Sequence, residues 1–256
     1  MILSIRNKFQ ILHLVTHAAA FYGFVWVFQS HQFQWLLLSF VWFLYCGIFG
    51  VNIALHRYFA HNSFRAGRFV YWLLLVSSFF PMLGSAAAWG SIHRYHHLHS
   101  DTDIDPHSPR VAGKFKSWFT FWPDVKIPLS IYRSFIKDKN ISFANNYYFT
   151  LVIIYVVGLG LIDWRLVCFL FAIPAVGCFH GASAIAVIPH LKGLGAYRSH
   201  ETADNSQNSA LAWVLSLGEG WHNNHHANAK NFRHGEKWWE LDPSAFIIKH
   251  FLMSKK

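Results

Sequence analysis

Long apolar runs broken by short polar stretches set the plan of this chain. Five runs, roughly 11–28, 33–55, 69–90, 147–162 and 166–189, each approach the ~20 residues that carry a helix across a bilayer. The third is interrupted by Ser77, Ser78, Pro81, Gly84 and Ser85. No internal repeat or low-complexity linker divides the runs, so residues 1–256 read as one domain. Three histidine clusters follow apolar runs: HRYFAH from His56 to His61, HRYHH from His93 to His97, and HNNHH from His222 to His226. If all five runs crossed, the first two clusters would face opposite sides of the membrane. For the clusters to meet, the third run must lie in the membrane plane or dip and return while the other four span. Charge agrees: the connections at 29–34 and 163–165 are nearly free of Lys and Arg, which gather at the N-terminus, in the middle loop and in the tail. The expectation is an all-α membrane protein with four transmembrane helices, one in-plane or re-entrant helix, and a cytoplasmic helical cap. Both termini and every histidine cluster then lie on the cytoplasmic side, in a bacterial inner membrane rather than the endoplasmic reticulum.

Composition supports a membrane solvent. Of 256 residues 54% are hydrophobic, 18% aromatic and only 13% charged, and the mean hydropathy is +0.24. The formal charge of +10 points to anionic headgroups and positive-inside topology, not to nucleic acid. Cys46, Cys168 and Cys178 lie in apolar runs without CxxC spacing, which excludes a disulfide framework or thiolate metal site. The opening MILSIRNKFQ is followed by no small-residue cleavage site, so no removable signal peptide is expected.

The histidines carry the chemistry. His93, His96 and His97 share the H-x-x-H-H spacing of His222, His225 and His226, and on a helix each triplet turns its imidazoles to one side. His56 and His61 are five apart, about 140° around an α-helix, which suits two different metals or a helix end. Eight imidazoles are too many for one ion and suitable for two. With no thiolates in the clusters, many-nitrogen ligation with open positions suits iron and oxygen chemistry. One E-x-x-H spelling occurs, Glu219 to His222, and without a second it makes Glu219 a partner that orients a histidine rather than a bridging ligand.

H-x4-H, H-x2-H-H and H-N-x-H-H, in this order, resemble the integral-membrane fatty acid desaturases, and the delta-9 type in particular. "HRYHHLHSDTDIDPHSP", "GEGWHNNHHA" and "RHGEKWWELD" are similar to bacterial members. The resemblance runs from about the second apolar run to the C-terminus. It implies two iron ions held by His56 and His61, by His93, His96 and His97, by His222, His225 and His226, and by a ninth ligand, His190 in "AVIPHLKG". Animal acyl-CoA members place an Asn four residues before that histidine, reaching one iron through water; here the position is Ala186. His13, His17 and His31 read as interfacial or packing residues. His99, His107, His180, His200, His234 and His250 read as hydrogen-bonding, capping or surface groups. Asp101, Asp103 and Asp105 read as hydrogen-bond partners of the cluster histidines or helix caps, the EF-hand glycine and distal Glu being absent.

The implied activity is an O2-dependent insertion of a cis double bond, at the delta-9 position, into a saturated acyl chain carried on CoA or a lipid. An unactivated methylene has no acidic proton, so an iron–oxygen oxidant must abstract hydrogen while the protein fixes which carbons face it. No G-x-G-x-x-G follows a strand pattern, so no bound NAD or flavin is expected. Electrons come from a separate donor, a ferredoxin or a small b-type cytochrome, docking on the basic cytoplasmic face. In the family the acyl tail enters a tunnel between membrane helices. Trp89 and Trp221 stand beside clusters and line a channel or anchor at the interface, and Phe40 and Leu44, one turn apart before His56, read as tunnel-end residues. The alternatives are a related membrane hydroxylase or ketolase, and a non-catalytic metal transporter, which would place its ligands inside the spans.

Overall fold

In an apolar medium every backbone polar group must find its partner within its own segment, and the apolar runs do so as helices. The computed structural model describes residues 5–119, 126–191, 193 and 196–254. Residues 1–4 and 255–256, which carry part of the terminal charge, lie outside them. Three helices are long and apolar enough to cross a membrane: α1 (Ile5–Ser30), α2 (Gln34–Ala60) and a later one, Trp164–His190. At 1.5 Å per residue each measures about 40 Å, more than the ~30 Å of a hydrocarbon core.

The third apolar run forms no such helix. It gives α3 (Arg68–Ser77), about 15 Å long, and then α4 (Ala86–His99). The serines seen in the sequence do the interrupting. The Ser77 and Ser78 hydroxyls donate back to the carbonyls of Leu73 and Leu75, Met82 and Gly84 turn through positive φ, and Ser85 caps α4 by accepting from the Ala88 N–H. Short helices α5 (Pro109–Ala112), α6 (Lys114–Phe119) and α7 (Leu129–Ile136) follow. Helices α8 (Lys139–Asn146) and α9 (Tyr148–Ile162) meet at a 67° bend and are apolar enough to cross only if taken together. Then come α10 (Trp164–His190), α11 (Ala210–Leu215), α12 (His222–Ala227) and α13 (Pro243–Ile247). Among the described residues no strand forms; isolated bridges at Tyr197–Asn208 and Asn208–Trp221 tie the loop before α12 to itself.

Helix α1 packs closely on α10: a Cβ at Gly23 would stand 2.9 Å from that of Cys168. The main core joins Ile53, Leu55, Leu74, Leu83, Ala172 and Ala175 with their neighbours. Away from it, Leu14, Phe21, Phe28, Leu161 and Ile162 point outward, as residues do where the solvent is lipid.

The second half of α2, Cys46–Ala60, is wound as a π-helix. The same winding carries one residue further, where the His61 N–H donates to the carbonyl of His56, five residues back. This widening decides the geometry of the first histidine cluster.

Candidate metal centre

Four helix ends deliver the histidines. The C-terminal end of α2 carries His56 and His61, α4 carries the second cluster, α10 ends on His190, and α12 carries the third cluster. All nine sequence candidates fall into two groups, each with its ligand nitrogens mutually within 4.8 Å: His56, His61, His93, His97 and His225, and His96, His190, His222 and His226. Each H-x-x-H-H triplet is split. On α4 the i, i+4 pair His93 and His97 serves the five-histidine group and His96 the other. On α12 the i, i+4 pair His222 and His226 serves the four-histidine group and His225 the other. His56 and His61 do not part to two metals: the π turn replaces the 140° offset of an α-helix and brings their rings to 4.9 Å.

Within the groups the Nε2 atoms face one another. The separations are 2.9 Å for His56–His225, 3.0 Å for His225–His97, 3.1 Å for His97–His93, 2.8 Å for His93–His61 and 3.1 Å for His190–His222. Two nitrogens bound at right angles to one ion at about 2.1 Å lie about 3.0 Å apart, so these contacts have the spacing of ligand pairs. The outer nitrogens fix the tautomers. Nδ1 of His56 donates to Glu219 at 2.8 Å, of His96 to Asp105 at 2.9 Å, of His190 to Asp101 at 2.8 Å and of His226 to Asp204 at 2.5 Å. Each such imidazole keeps its Nε2 lone pair for a metal. Nε2 of His226 is buried and has no hydrogen-bond partner, an orphan that an ion in the four-histidine group satisfies.

Electrostatics favour the neutral form of six of the nine histidines. Burial, then repulsion among neighbouring imidazoles, holds His61, His93, His97, His222 and His225 well below the ordinary histidine range. Burial brings His226 down to about 4 against the opposing pull of Asp204. Burial disfavours the Glu219 carboxylate, yet Arg57, His234 and His56 hold it well below the usual carboxylate range. Arg57 is fully buried, its guanidinium bonding Glu219 and Asp242 at 2.8 Å each and the carbonyl of Phe232. Neutral imidazoles beside ionised carboxylates make a donor set for hard-to-borderline divalent and trivalent ions.

A cavity reaches these groups. It is lined by His56, His93, His96 and His222 at one end, and by Phe43, Gly47 and Val51 of α2 opposite Gly177 and Gly181 of α10 along its length. An apolar slot ending on a histidine-rich centre suits a flexible hydrocarbon chain. The chain matches the family model "Fatty acid desaturase" over residues 33–252. It is 32% identical over 251 residues to an sn-1 stearoyl-lipid 9-desaturase of Synechocystis sp., covering 94% of this chain and 74% of that one. It belongs to the fatty acid desaturase family. An acyl-CoA 5-desaturase of Anemone leveillei is 31% identical over 85% of this chain and 69% of its own, and delta-9 acyl-lipid desaturase 2 of Arabidopsis thaliana is 29% identical over 86% and 73%. The desaturase is therefore an oxidoreductase acting on acyl chains.

Other sequence candidates of the desaturase are placed as follows. Trp89 lines the cavity, stacked on His93 with ring centroids 4.8 Å apart. Glu219 and Asp101 each bond a histidine of the groups, as does Asp105. Phe40 and Leu44 do not line the cavity, and Phe40 is 54% exposed; the cavity face of α2 carries Phe43 and Gly47 instead. Trp221 is buried with its indole N–H on the carbonyl of Leu241. Ala186 and His107 line the cavity near His96 and His222. His234 bonds Glu219 at 3.1 Å, and His17 meets His180 at 3.2 Å between α1 and α10. Sequence reasoning missed Asp204 and Arg57. Asp204 sits in an irregular loop with no motif around it, whereas Arg57, a charge directly beside His56, was visible as an oddity at the end of an apolar run.

Proposed function

We propose that this desaturase, acting as a single domain over residues 1–256, holds one iron ion in each histidine group. It spends O2 there to place a cis double bond at the ninth carbon of a saturated acyl chain. The grouping of the nine histidines into five and four at the end of an apolar cavity carries this reading. Bound iron supplies the activation of O2 needed to take hydrogen from an unactivated methylene. The chain's own groups do the rest. The carboxylates keep each Nδ1 proton in place so that Nε2 stays a lone pair, the apolar walls exclude water, and the slot between α2 and α10 fixes which methylenes lie beside the histidines. Desaturation withdraws two electrons from the acyl chain, while reducing O2 to two waters takes four. The remaining two come from a separate one-electron carrier protein. The delta-9 position rests on the stearoyl-lipid and acyl-lipid 9-desaturases among the relatives, which also favour a lipid-borne acyl chain; the bacterial inner membrane rests on the sequence reading alone.

For topology we count α1, α2, the bent pair α8–α9, and α10 as four crossings. Helix α3 with the start of α4 is then re-entrant, and the histidine groups and both termini are cytoplasmic under a helical cap. The decisive experiment is expression in a desaturase-deficient host, with gas chromatography of fatty acids and iron analysis of the purified protein. Two irons per chain and a new monounsaturated delta-9 product are expected; iron-loaded protein that yields no unsaturated product sinks the reading. Accessibility tags at Lys116 and Ser30 should label from opposite sides, and labelling from one side overturns the topology.

A further inference from the structure

The two histidine groups are unequal beyond their count. In the four-histidine group three of the four ligands, His96, His190 and His226, hand their Nδ1 protons to Asp105, Asp101 and Asp204. In the five-histidine group, among the described residues, only His56 meets a carboxylate, that of Glu219. The quality of these carboxylates differs as well. Glu219 divides its charge: one oxygen serves His56 and His234, and the other the buried guanidinium of Arg57, which also bonds Asp242.

Among the described residues, no guanidinium or ammonium group bonds the three aspartate carboxylates. Asp105 accepts from the N–H groups of Asp101 and His107. Asp101 accepts from Ser108 and Asn205, and Asp204 from Thr202 and Ser206. Arg198 donates to the carbonyls of Asp204 and Ser206 and to Thr202. Three carboxylates thus face the four-histidine group, each accepting from one of its histidines, against the one shared carboxylate of the five-histidine group.

Attraction of a cation to fixed charge grows with the cation's own charge. A carboxylate on Nδ1–H also makes Nε2 a stronger electron donor. We propose that the four-histidine group is the position for the more highly charged ion: when the pair holds one ferric and one ferrous ion, the ferric ion sits there. Asp204 and Asp105 are the positioning residues that set this preference through His226 and His96. The inference rests on the two-iron reading above and adds to it an order between the ions.

The test loads the protein with 57Fe in the ferrous state and removes one electron per chain with one equivalent of ferricyanide, which is reduced to ferrocyanide. Mössbauer spectra of the wild type should then contain equal ferric and ferrous components. D204N, and D105N on a separate loop should D204N fold poorly, should shift the ferric component and leave the ferrous one in place. Each should also weaken ferric retention against a chelator by about 10–100-fold while changing ferrous retention less. Movement of the ferrous component instead, or equal movement of both, overturns the order of the ions and leaves the two-iron reading standing. A chain that takes up no iron overturns both.

Discussion

The outward faces of α1 and α9 and the packing around Arg57 obey opposite rules. Along α1, Leu14, Phe21 and Phe28 project from the fold with no polar demand to meet, and any apolar side chain that keeps the helix serves there. At Arg57 the guanidinium is wholly buried, and its partners Glu219, Phe232 and Asp242 lie 162, 175 and 185 residues away in sequence. Nothing but a fork of donors satisfies two carboxylates and a carbonyl at once. The scaffold tolerates variation because its interactions are non-directional; the packing around Arg57 does not, because its buried groups are satisfied only by specific partners. Substitutions should therefore grade in effect from the cap downward.

The largest effect belongs to the ligands. His225→Ala should abolish desaturation, since His225 faces both His56 and His97, while purified protein keeps its helical circular dichroism. Full activity in that variant breaks the contrast at its strongest point. Next comes Arg57→Met, which leaves Glu219 and Asp242 as buried unpaired charges. A loss of about 3–5 kcal/mol is expected, read as a large fall in thermal midpoint in detergent. A matched change on α1, Phe21→Leu, should stay within about 0.5 kcal/mol. Equal shifts for the two would mean that the cap is no more demanding than the scaffold.

Acidity should sharpen the same contrast. An unfolded chain protonates its histidines near pH 6.5, whereas the folded protein keeps His61, His93, His97, His222 and His225 neutral well below that, and His226 down to about 4. The unfolded state thus binds more protons between these limits, so stability is complete above about pH 6.5 and falls as the pH drops toward 4. The depressed carboxylates Asp101, Asp105, Asp204 and Glu219 add a loss that sets in only at lower pH, as they protonate. Metal-free protein should melt earlier at pH 5 than at pH 7.5, and His226→Gln should flatten the slope. A midpoint that rises on acidification contradicts the neutral-ligand picture.

The histidines that the structure gathers were legible in the sequence because imidazoles repeat a spacing that a helix turns to one side, and because that spelling resembles a known family. Their division between two groups was not legible. Side chains at i+3 and i+4 flank the same face, and only the facing helix decides which ion each one meets, so His96 parts from His97 and His225 from His226. Asp204 was hidden for a different reason: an irregular loop has no period, and its acceptor reaches His226 only through the tertiary fold. The broken third run was readable, since Ser77, Ser78 and Ser85 act locally. The cavity face of α2 was misread by one residue. Counting back in fours from His56 leads to 52, 48, 44 and 40, the phase of an α-helix. The π-wound segment takes one residue more in the turn before His56, so that beside Asn52 the wall falls on Val51, Gly47 and Phe43.

That slip yields the smallest of the expected effects. Phe43 is the α2 residue of the cavity farthest in sequence from His56, at most about 20 Å away along the helix. Its ring lies over Gly177, where an added Cβ would come within 2.7 Å of it, so ring and glycine together close the slot between α2 and α10. Phe43→Ala should open that end to one or two more methylenes. At about 0.8 kcal/mol for each one buried, preference should move roughly four-fold per carbon toward longer chains, with the double bond at the same distance from the carboxyl end. Gly177→Ala presses on the ring from the other side and should move preference toward shorter chains. Leu44→Ala, one residue out of phase and off the cavity wall, should leave the chain-length ratio alone. Gas chromatography of products from the three variants in one host separates the cases. If Leu44→Ala lengthens the product and Phe43→Ala does not, the tunnel follows the α-helical count after all, and the π winding has no part in setting chain length.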